Sequence, residues 1–207
     1  MYEDPRSRLL TCAEEAFLSC GYGATRLSEV ASAAGISKKT IYRLVESKAA
    51  LFAAVVEKVV TATVHPSSLD GPETEDPQAT LRAFVRPFAQ LALSYRGIRA
   101  HRLVLTEAVQ FPELAKHNAD NVHAAVAAPL AAWMARQVAA GVLNVPNPDI
   151  AVGMLIAMIV SEPLQAAALG ITDALQPEAI DARVDEGIRL FLLGAQCPAE
   201  VQRSPRS

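Results

Sequence analysis

The polar side chains between Thr25 and Lys48 have the types and spacing of a nucleic-acid contact. Residues 26–48 hold five basic and two acidic side chains, in a chain whose net charge is −3. Lysine and arginine neutralise phosphates, and hydroxyl groups hydrogen-bond to phosphates or to base edges. This short segment is therefore a local basic footprint in an acidic chain, and it indicates a small DNA-binding surface.

Two predicted helices position these side chains. Residues 27–34 carry apolar side chains at helical spacing, Gly35 can adopt the left-handed backbone that ends a helix, and Ser37 can cap the next helix. Ile41 and Leu44 of that next helix face inward, which leaves its polar side chains on the outer surface and at the leading end. Because an α-helix fits the major groove, the pattern predicts a helix-turn-helix.

The region from Arg6 to Val60 resembles the TetR/AcrR family of bacterial transcriptional repressors. The chain has Val45 where that family usually has phenylalanine, which predicts looser core packing there without loss of function. The residues that carry the resemblance, at fixed spacing, are Ala13-Glu14-Glu15-Ala16-Phe17, Gly21-Tyr22, Thr25, Val30-Ala31, Ala34-Gly35, Ser37, Thr40-Ile41-Tyr42, Lys48 and Leu51.

This resemblance implies a role for each polar residue of the segment. Lys38, Lys39 and Thr40 would face bases and nearby phosphates. Tyr42 would donate its hydroxyl to a phosphate, and Lys48 would pair with a phosphate beside backbone N–H groups. An ordinary solvated helix face is the alternative for any single lysine. The full candidate DNA-binding set is Thr25, Arg26, Ser37, Lys38, Lys39, Thr40, Tyr42, Arg43 and Lys48.

Helical periodicity recurs along nearly the whole chain, without the alternating pattern of strands. We predict an all-α protein of about nine helices. Residues 1–64 form a helix-turn-helix DNA-binding domain, residues 65–77 an acidic, turn-rich loop, and residues 78–207 a helical ligand-binding and dimerisation domain. The last ten residues are predicted to be frayed.

The last two predicted helices, at about 147–169 and 176–196, favour a homodimer. The first of them is apolar on more than one face and must be covered on all sides. Two helices from each subunit would bury it in a four-helix interface, whereas two interior helices are the alternative. The expected interface residues are Leu155, Ile159, Val184, Ile188, Phe191, Leu192 and Ala195.

Three prolines inside helical patterns, Pro87, Pro129 and Pro163, predict bent helices around a cavity. Each proline frees the carbonyl four residues back and bends its helix. Such a cavity would hold a small, apolar effector, and plain core packing is the alternative for its apolar residues. A partly buried Glu162 would favour a cationic ligand or an arginine partner. The candidate pocket residues are Phe84, Phe88, Leu91, Leu103, Glu107, Gln110, Phe111, Asn121, Trp133, Met134, Met154, Met158 and Glu162.

The sequence lacks the motifs that are typical of several other functions. Phosphate loop, nucleophile elbow, paired carboxylates and metal-ligand spacing are missing, so we expect no enzyme, cofactor or metal site. The longest apolar run, residues 150–160, is shorter than the roughly twenty residues of a membrane span. The three cysteines, Cys12, Cys20 and Cys197, are typical of a reducing cytoplasm.

The sequence therefore predicts a cytoplasmic, dimeric DNA-binding regulator, a repressor of the TetR type. It would bind double-stranded DNA at a palindromic, inverted-repeat operator, and an effector would release it. The main alternative is a helical small-molecule-binding protein without DNA function. A small helical enzyme is a third possibility, which turnover of a substrate without DNA would support.

Overall fold

The computed structural model describes residues 4–71 and 76–195, and every regular element in these ranges is helical. A 3-10 turn covers Pro66–Leu69, and π-helical turns cover His123–Ala127 and Ala157–Ser161. Cys197 and the ten C-terminal residues lie outside the described residues. The α-helices are α1 (Pro5–Cys20), α2 (Leu27–Ala33), α3 (Lys38–Leu44), α4 (Lys48–Thr61), α5 (Pro77–Leu93), α6 (Tyr95–Glu107), α7 (Pro112–Val122), α8 (Ala128–Ala139), α9 (Pro148–Ile156), α10 (Glu162–Ala168) and α11 (Pro177–Ala195).

The predicted all-α class is confirmed. The π-helical turn at His123–Ala127 joins α7 to α8 without a break in helical residues, and the turn at Ala157–Ser161 joins α9 to α10. Counted this way, the described ranges contain nine continuous helices, as the periodicity predicts.

The chain divides into two compact units that do not follow the predicted boundaries. One unit consists of Met1–Ala62 and Tyr95–Val122, and the other of Thr63–Ser94 and His123–Ser207. The prediction assigns the second stretch of the first unit to the C-terminal domain, because it takes the acidic, turn-rich loop as the boundary between two domains. Packing decides otherwise, because Leu103 and Leu114 are buried in the same apolar cluster as the N-terminal helices.

The first unit has a core built from all its helices. Leu9, Phe17, Ile41, Leu51 and Leu114 are almost completely buried in it. Aromatic rings form its centre: those of Phe17, Tyr22 and Phe52 contact one another, with centroids 5.5–5.9 Å apart. α6 therefore packs on α1 and α7 on α4, while the four N-terminal helices also pack on one another.

Local sequence signals set the turn before α3 and the N-termini of α3 and α4. Gly35 has a φ of +67°, which confirms the predicted left-handed turn. The Ser37 side chain accepts a hydrogen bond of 3.0 Å from Thr40 N, which confirms the predicted cap. Ser47 caps α4 in the same way, through a 3.0 Å bond from Ala50 N.

The second unit holds its helices together by burial and by ion pairs. α5 packs along α11, where Arg86 pairs with Asp181 and Arg82 with Asp185. The core includes Leu81, Phe84, Leu130, Met134 and Leu155, all almost completely buried. These bonds keep the two helices in a fixed register.

The prolines within the predicted helices are accommodated differently. Pro129 and Pro163 each follow a π-helical turn after one intervening residue, at the second position of α8 and of α10. Pro87 lies within α5, which stays α-helical. A π-helical turn widens the helix and relieves the clash between a proline ring and the preceding turn.

One helical stretch among the described residues, Pro148–Ala168, has the length and apolarity of a membrane-spanning helix. Such helices also form the cores of water-soluble proteins. In this unit the stretch packs against α5, α8 and α11, which cover part of its surface.

Candidate nucleic-acid interface

α3 presents its polar side chains to solvent. Lys38, Lys39 and Arg43 are exposed, and the side chain of Tyr42 is 64% exposed. Ile41, between them in sequence, is fully buried and fixes the rotation of the helix. The surface of α3 therefore offers three positive charges and a phenolic hydroxyl on a helix of the width that fits a major groove.

Two further predicted residues lie at the N-terminus of α3. The hydroxyls of Ser37 and Thr40 are 2.8 Å apart and hydrogen-bonded to each other. Ser37 is exposed, and Thr40 is half-buried. Arg26 is also exposed and pairs with Glu29 at 3.3 Å, an i,i+3 contact on the surface. These groups keep capacity for a further hydrogen bond to a phosphate.

Thr25 is buried, whereas the predicted phosphate contact requires it to lie at the surface. Its side chain is only 4% exposed, and its hydroxyl donates to the carbonyl of Gly21 at 2.6 Å. A buried hydroxyl whose proton is already committed has no donor left for a phosphate. The prediction of a side-chain phosphate contact at Thr25 is therefore corrected: this residue closes the turn between α1 and α2.

Lys48 also points into the protein. Its ammonium nitrogen donates to the carbonyls of Tyr22 at 2.7 Å, Gly23 at 3.1 Å and Thr25 at 3.1 Å. It also lies 4.5 Å from the centroid of the Tyr22 ring. An ammonium group has three N–H donors, and here three carbonyls receive them. The geometry differs from the predicted phosphate contact and ties α4 to the turn after α1.

Glu107 binds the same turn from the other side. Its two carboxylate oxygens accept hydrogen bonds from Tyr22 N at 2.9 Å and from Gly23 N at 2.7 Å. The sequence predicts Glu107 as a polar residue of an effector pocket, but both of its oxygens are engaged with backbone. This correction has a simple cause, because two adjacent backbone N–H groups outside a helix need acceptors.

Tyr22 is the buried centre of this arrangement. Its hydroxyl donates to Glu113 Oε1 at 3.3 Å, and its ring contacts that of Phe111 with centroids 5.1 Å apart. Burial, and then the negative charge of Glu113, raises the pKa of Tyr22 to about 12. Sequence reasoning cites Tyr22 only as part of a family pattern, although a tyrosine between two glycines is a signal for a constrained turn.

Both parts of the chain match known families of regulators. Residues 79–194, more than half of the chain, match the C-terminal domain of AefR-like transcriptional repressors. Residues 9–55 match the tetR family of bacterial regulatory proteins. The chain belongs to the TetR family. It is thus a DNA-binding transcriptional regulator, a class of protein distinct from enzymes.

Individual relatives agree with this TetR-family assignment. The HTH-type transcriptional activator FasR of Mycolicibacterium smegmatis is 35% identical over 86 residues, which are 42% of this chain but only 39% of FasR. The flavonoid-responsive regulator FrrA has a similar structure, with a TM-score of 0.74 and 26% identity over 94% of this chain and 98% of its own. A TetR-family regulator from Mesorhizobium loti has a TM-score of 0.78 and 21% identity over 93% of this chain and 97% of its own.

The predicted pocket residues of this TetR-family chain do not gather in one unit. Leu103, Glu107, Gln110, Phe111 and Asn121 belong to the first unit, and the other eight belong to the second. Within the second unit some of them are core and others are surface. Phe84, Phe88, Trp133 and Met134 are buried, Leu91 is half-buried, and Met154, Met158 and Glu162 are exposed.

Two of the polar pocket candidates have partners that the sequence does not reveal. Asn121 donates its side-chain amide to the carbonyl of Ala53 at 3.1 Å, so it ties α7 to α4. Glu162 pairs with Arg183 at 3.1 Å, which is the arginine partner that the sequence analysis considers for it. Neither side chain needs a ligand to be satisfied.

The predicted dimer residues are corrected by their burial within a single subunit. Leu155, Ile159, Val184 and Ile188 are fully buried, Leu192 and Ala195 are nearly so, and only Phe191 is half-buried. A side chain without exposed surface adds none to an interface. The apolar residues left exposed on α9, the following π-helical turn and α11 are Ile150, Met154, Met158, Leu190 and Leu193.

Proposed function

We propose that this TetR-family regulator is a cytoplasmic repressor that binds an inverted-repeat operator as a homodimer and is released by a small molecule. The exposed face of α3 carries the proposal. Lys38 and Lys39 stand at its leading end, where side chains reach base edges, and Tyr42 lies one turn further along. Lys39 would read bases, and Tyr42 would donate to a phosphate.

A second copy of the chain would cover the apolar stripe of α9 and α11. Ile150, Met154 and Met158 follow one another at spacings of four residues, so they lie on one side of the helix. Leu190 and Leu193 stand exposed on α11 of the same unit. Two such helices from each subunit would form a four-helix interface and hold two copies of α3 about 34 Å apart, one turn of DNA.

Gln137 supports a ligand site in the second unit. Its side chain is 3% exposed, and Oε1 has no hydrogen-bond partner among the described residues. An acceptor buried without a partner is costly, so a ligand with an N–H or O–H donor would fit beside it. Trp133 and Met134 lie on the same face of α8, one turn earlier, and are buried.

The proposed ligand has a flat apolar body with a hydroxyl group. Its chemistry follows from the buried aromatic and methionine side chains together with an amide oxygen that accepts. The likeness to the flavonoid-responsive FrrA agrees with this class. A matched pair of compounds, unsubstituted flavone and a monohydroxyflavone, separates the hydroxyl from the ring system in a thermal-shift titration, with Gln137→Leu as the variant that should lose the preference.

Selection from a random DNA pool tests the operator proposal. The purified protein is incubated with random duplexes, and bound molecules are sequenced. An enriched inverted repeat supports a dimeric, sequence-specific regulator, whereas a single half-site contradicts the dimer. Lys39→Ala should change the enriched sequence, whereas Tyr42→Phe should weaken binding to all sequences alike. Identical behaviour of the two variants contradicts the assignment of base-facing and phosphate-facing residues.

Transcription in vitro separates a repressor from an activator, which FasR is. The selected operator is placed over a promoter, and transcript is measured with and without the protein. A fall in transcript that the hydroxyflavone reverses supports the proposed repressor. A rise in transcript from an operator placed upstream, with no effect over the promoter, contradicts it.

A further inference from the structure

Two side chains of opposite charge form hydrogen bonds with the backbone of the turn between α1 and α2. The N–H groups of Tyr22 and Gly23 donate to the Glu107 carboxylate, and the carbonyls of the same two residues receive the Lys48 ammonium. We propose that Glu107 and Lys48 are positioning residues for DNA binding, which set the place of α2 and α3 through this turn, and that neither binds effector or phosphate. The proposal rests on the DNA-binding function of the chain.

The turn determines where α2 begins. The Thr25 hydroxyl donates to Gly21 O at 2.6 Å, and Thr25 N donates to Tyr22 O at 3.3 Å. Arg26 follows directly as the first residue before α2. α2 in turn packs on α3, which carries the exposed lysines. A shift of the turn therefore displaces the whole helix-turn-helix, and a mismatch of about 1 Å is enough to weaken contacts that depend on alignment.

At Gly21 and Gly23 the turn lies so close to neighbouring side chains that an added Cβ atom would crowd them. A Cβ atom added to Gly21 would lie 2.6 Å from Glu107 Oε1, and the φ of Gly21 is +87°. A Cβ atom added to Gly23 would lie 3.2 Å from Phe111 Cε2 and 3.3 Å from Glu107 Oε2. Both glycines therefore let the carboxylate reach the N–H groups, which is what a positioning contact requires.

The hydrogen bonds of Lys48 and Glu107 to the turn compete with a phosphate contact by Lys48 and with an effector contact by Glu107. A phosphate contact by Lys48 would break hydrogen bonds to buried carbonyls, one of them that of Tyr22. An effector contact by Glu107 would leave the N–H groups of Tyr22 and Gly23 without acceptors. Hydrogen bonds that involve a charged group are the stronger ones in proteins, so these bonds resist exchange.

Salt dependence of DNA binding separates positioning from phosphate contact. A lysine that neutralises a phosphate contributes about one unit to the slope of log K against log salt, and a positioning lysine contributes nothing. The probe is the duplex enriched from the random pool, and affinity is measured from 50 to 300 mM salt by fluorescence anisotropy. Each affinity is expressed per folded dimer, as measured by circular dichroism and sedimentation.

Lys48→Met and Glu107→Gln are the decisive variants. Methionine keeps the length of the side chain without donors, and glutamine keeps the size of Glu107 but turns one acceptor into a donor that faces an N–H group. We expect each variant to bind roughly tenfold more weakly or worse with an unchanged salt slope, as for loss of charged hydrogen bonds. The double variant should be little worse than either single variant, because both hold one turn.

Two lysines serve as matched controls. Lys38→Met removes a surface charge of α3 that would face a phosphate, and it should lower the salt slope by about one unit. Lys58→Met removes another ammonium from α4, one that donates to Ser7 O at 3.1 Å and Thr11 Oγ1 at 3.0 Å, away from the turn. It should leave the affinity of folded protein within about twofold, in line with a change outside the site.

Two results would overturn the proposal. A salt slope lowered by one unit in Lys48→Met would make Lys48 a phosphate ligand. Unchanged DNA affinity of folded Glu107→Gln would mean that the hydrogen bonds of Glu107 to the turn contribute only to the stability of the fold. If either variant does not fold, Lys48→Arg and Glu107→Asp replace them, and wild-type affinity in both would again overturn the proposal. Failure of the wild-type protein to bind any duplex would instead contradict DNA binding itself.

Discussion

Arg183 Nε donates a hydrogen bond of 2.7 Å to the backbone carbonyl of Ile159, the carbonyl four residues before Pro163. Proline has no N–H to offer that carbonyl, and the guanidinium replaces it. The same side chain reaches Met158 O at 3.2 Å and pairs with Glu162 at 3.1 Å. α11 thus supplies a donor that the π-helical turn and α10 lack.

Replacement of Arg183 should therefore destabilise the protein. Arg183→Met leaves the buried Ile159 carbonyl without this partner and should lower the free energy of unfolding by about 1–3 kcal/mol. Arg189→Met on the same helix removes only a surface pair with Glu186 and should cost much less stability, because exposed ion pairs contribute little. Urea unfolding at one fixed protein concentration measures both, and equal losses would contradict the assigned role.

Gly187 is a second close contact between α11 and the π-helical turn. A Cβ atom there would lie 2.6 Å from Ile159 Cγ1, and isoleucine in a helix has little freedom to move. For Gly187→Ala we expect a net loss of up to about 2 kcal/mol, because strain of about 1–3 kcal/mol opposes the helical preference of alanine, about 1 kcal/mol. In a chain that already carries Ile159→Ala, the Gly187→Ala substitution should cost less stability. If denaturant unfolding shows that the losses of the two single variants simply add up in the double variant, the contact is contradicted.

Tyr22 predicts how stability depends on alkaline pH. Its folded-state pKa is raised to about 12, mainly by burial, with Glu113 and Glu107 adding to the shift. The unfolded tyrosine ionises near pH 10, so the folded state binds the proton more tightly. Its contribution is complete below about pH 10 and is lost between about pH 10 and 12.

Tyr22→Phe should remove this part of the pH dependence. The difference in Tm between wild type and variant should shift against wild type from about pH 10 to 12. Tyr95→Phe, which changes an exposed ring of the same unit, is the control. Parallel Tm curves for wild type and Tyr22→Phe across this range would refute the interpretation.

Asp181 predicts a dependence in the opposite direction at acid pH. Arg86 donates to its two oxygens at 2.7 and 2.6 Å, and these bonds lower the pKa of the Asp181 carboxyl. A lowered folded-state pKa gives stability above the unfolded pKa that is lost as pH falls through the folded value. Asp181→Asn should therefore lower Tm most at neutral pH and progressively less in acid. A difference that does not change with pH would contradict it.

Leu193 tests the proposed dimer surface. Its side chain is 69% exposed on α11, and a charge there would be buried by a second subunit. Leu193→Glu should shift the protein toward monomer in sedimentation velocity experiments. The matched control is Ile171→Glu, 72% exposed in the segment after α10 and outside the proposed interface. Dissociation of both variants, or of neither, would place the interface elsewhere.

Short-range sequence signals are enough to predict the helices and the exposed face of α3. Apolar periodicity decides which face of a short helix turns inward, and this placed Ile41 inside and Lys39 outside without reference to distant residues. Caps are equally local, since Ser37 bonds to an N–H only three residues away. The all-α class and the helix-turn-helix follow from such short-range signals.

Which polar side chains can bind a ligand depends on contacts between residues far apart in the chain. Glu107 lies 84 residues from Gly23 along the chain, and Lys48 lies 25 residues from it, so no local pattern pairs them. A lysine, a glutamate and a threonine look like surface or ligand residues until their distant backbone partners are known. The same holds for α6 and α7, whose buried side chains join them to the N-terminal core.

The dimer surface shows the same limit. The helix Pro148–Ala168 is apolar on more than one side, and its sequence does not say which side its own subunit covers. Packing against neighbouring helices buries Leu155 and Ile159 and leaves Met154 and Met158 exposed. Periodicity fixes the angle between side chains on one helix, but the direction that each side faces depends on where the other helices pack.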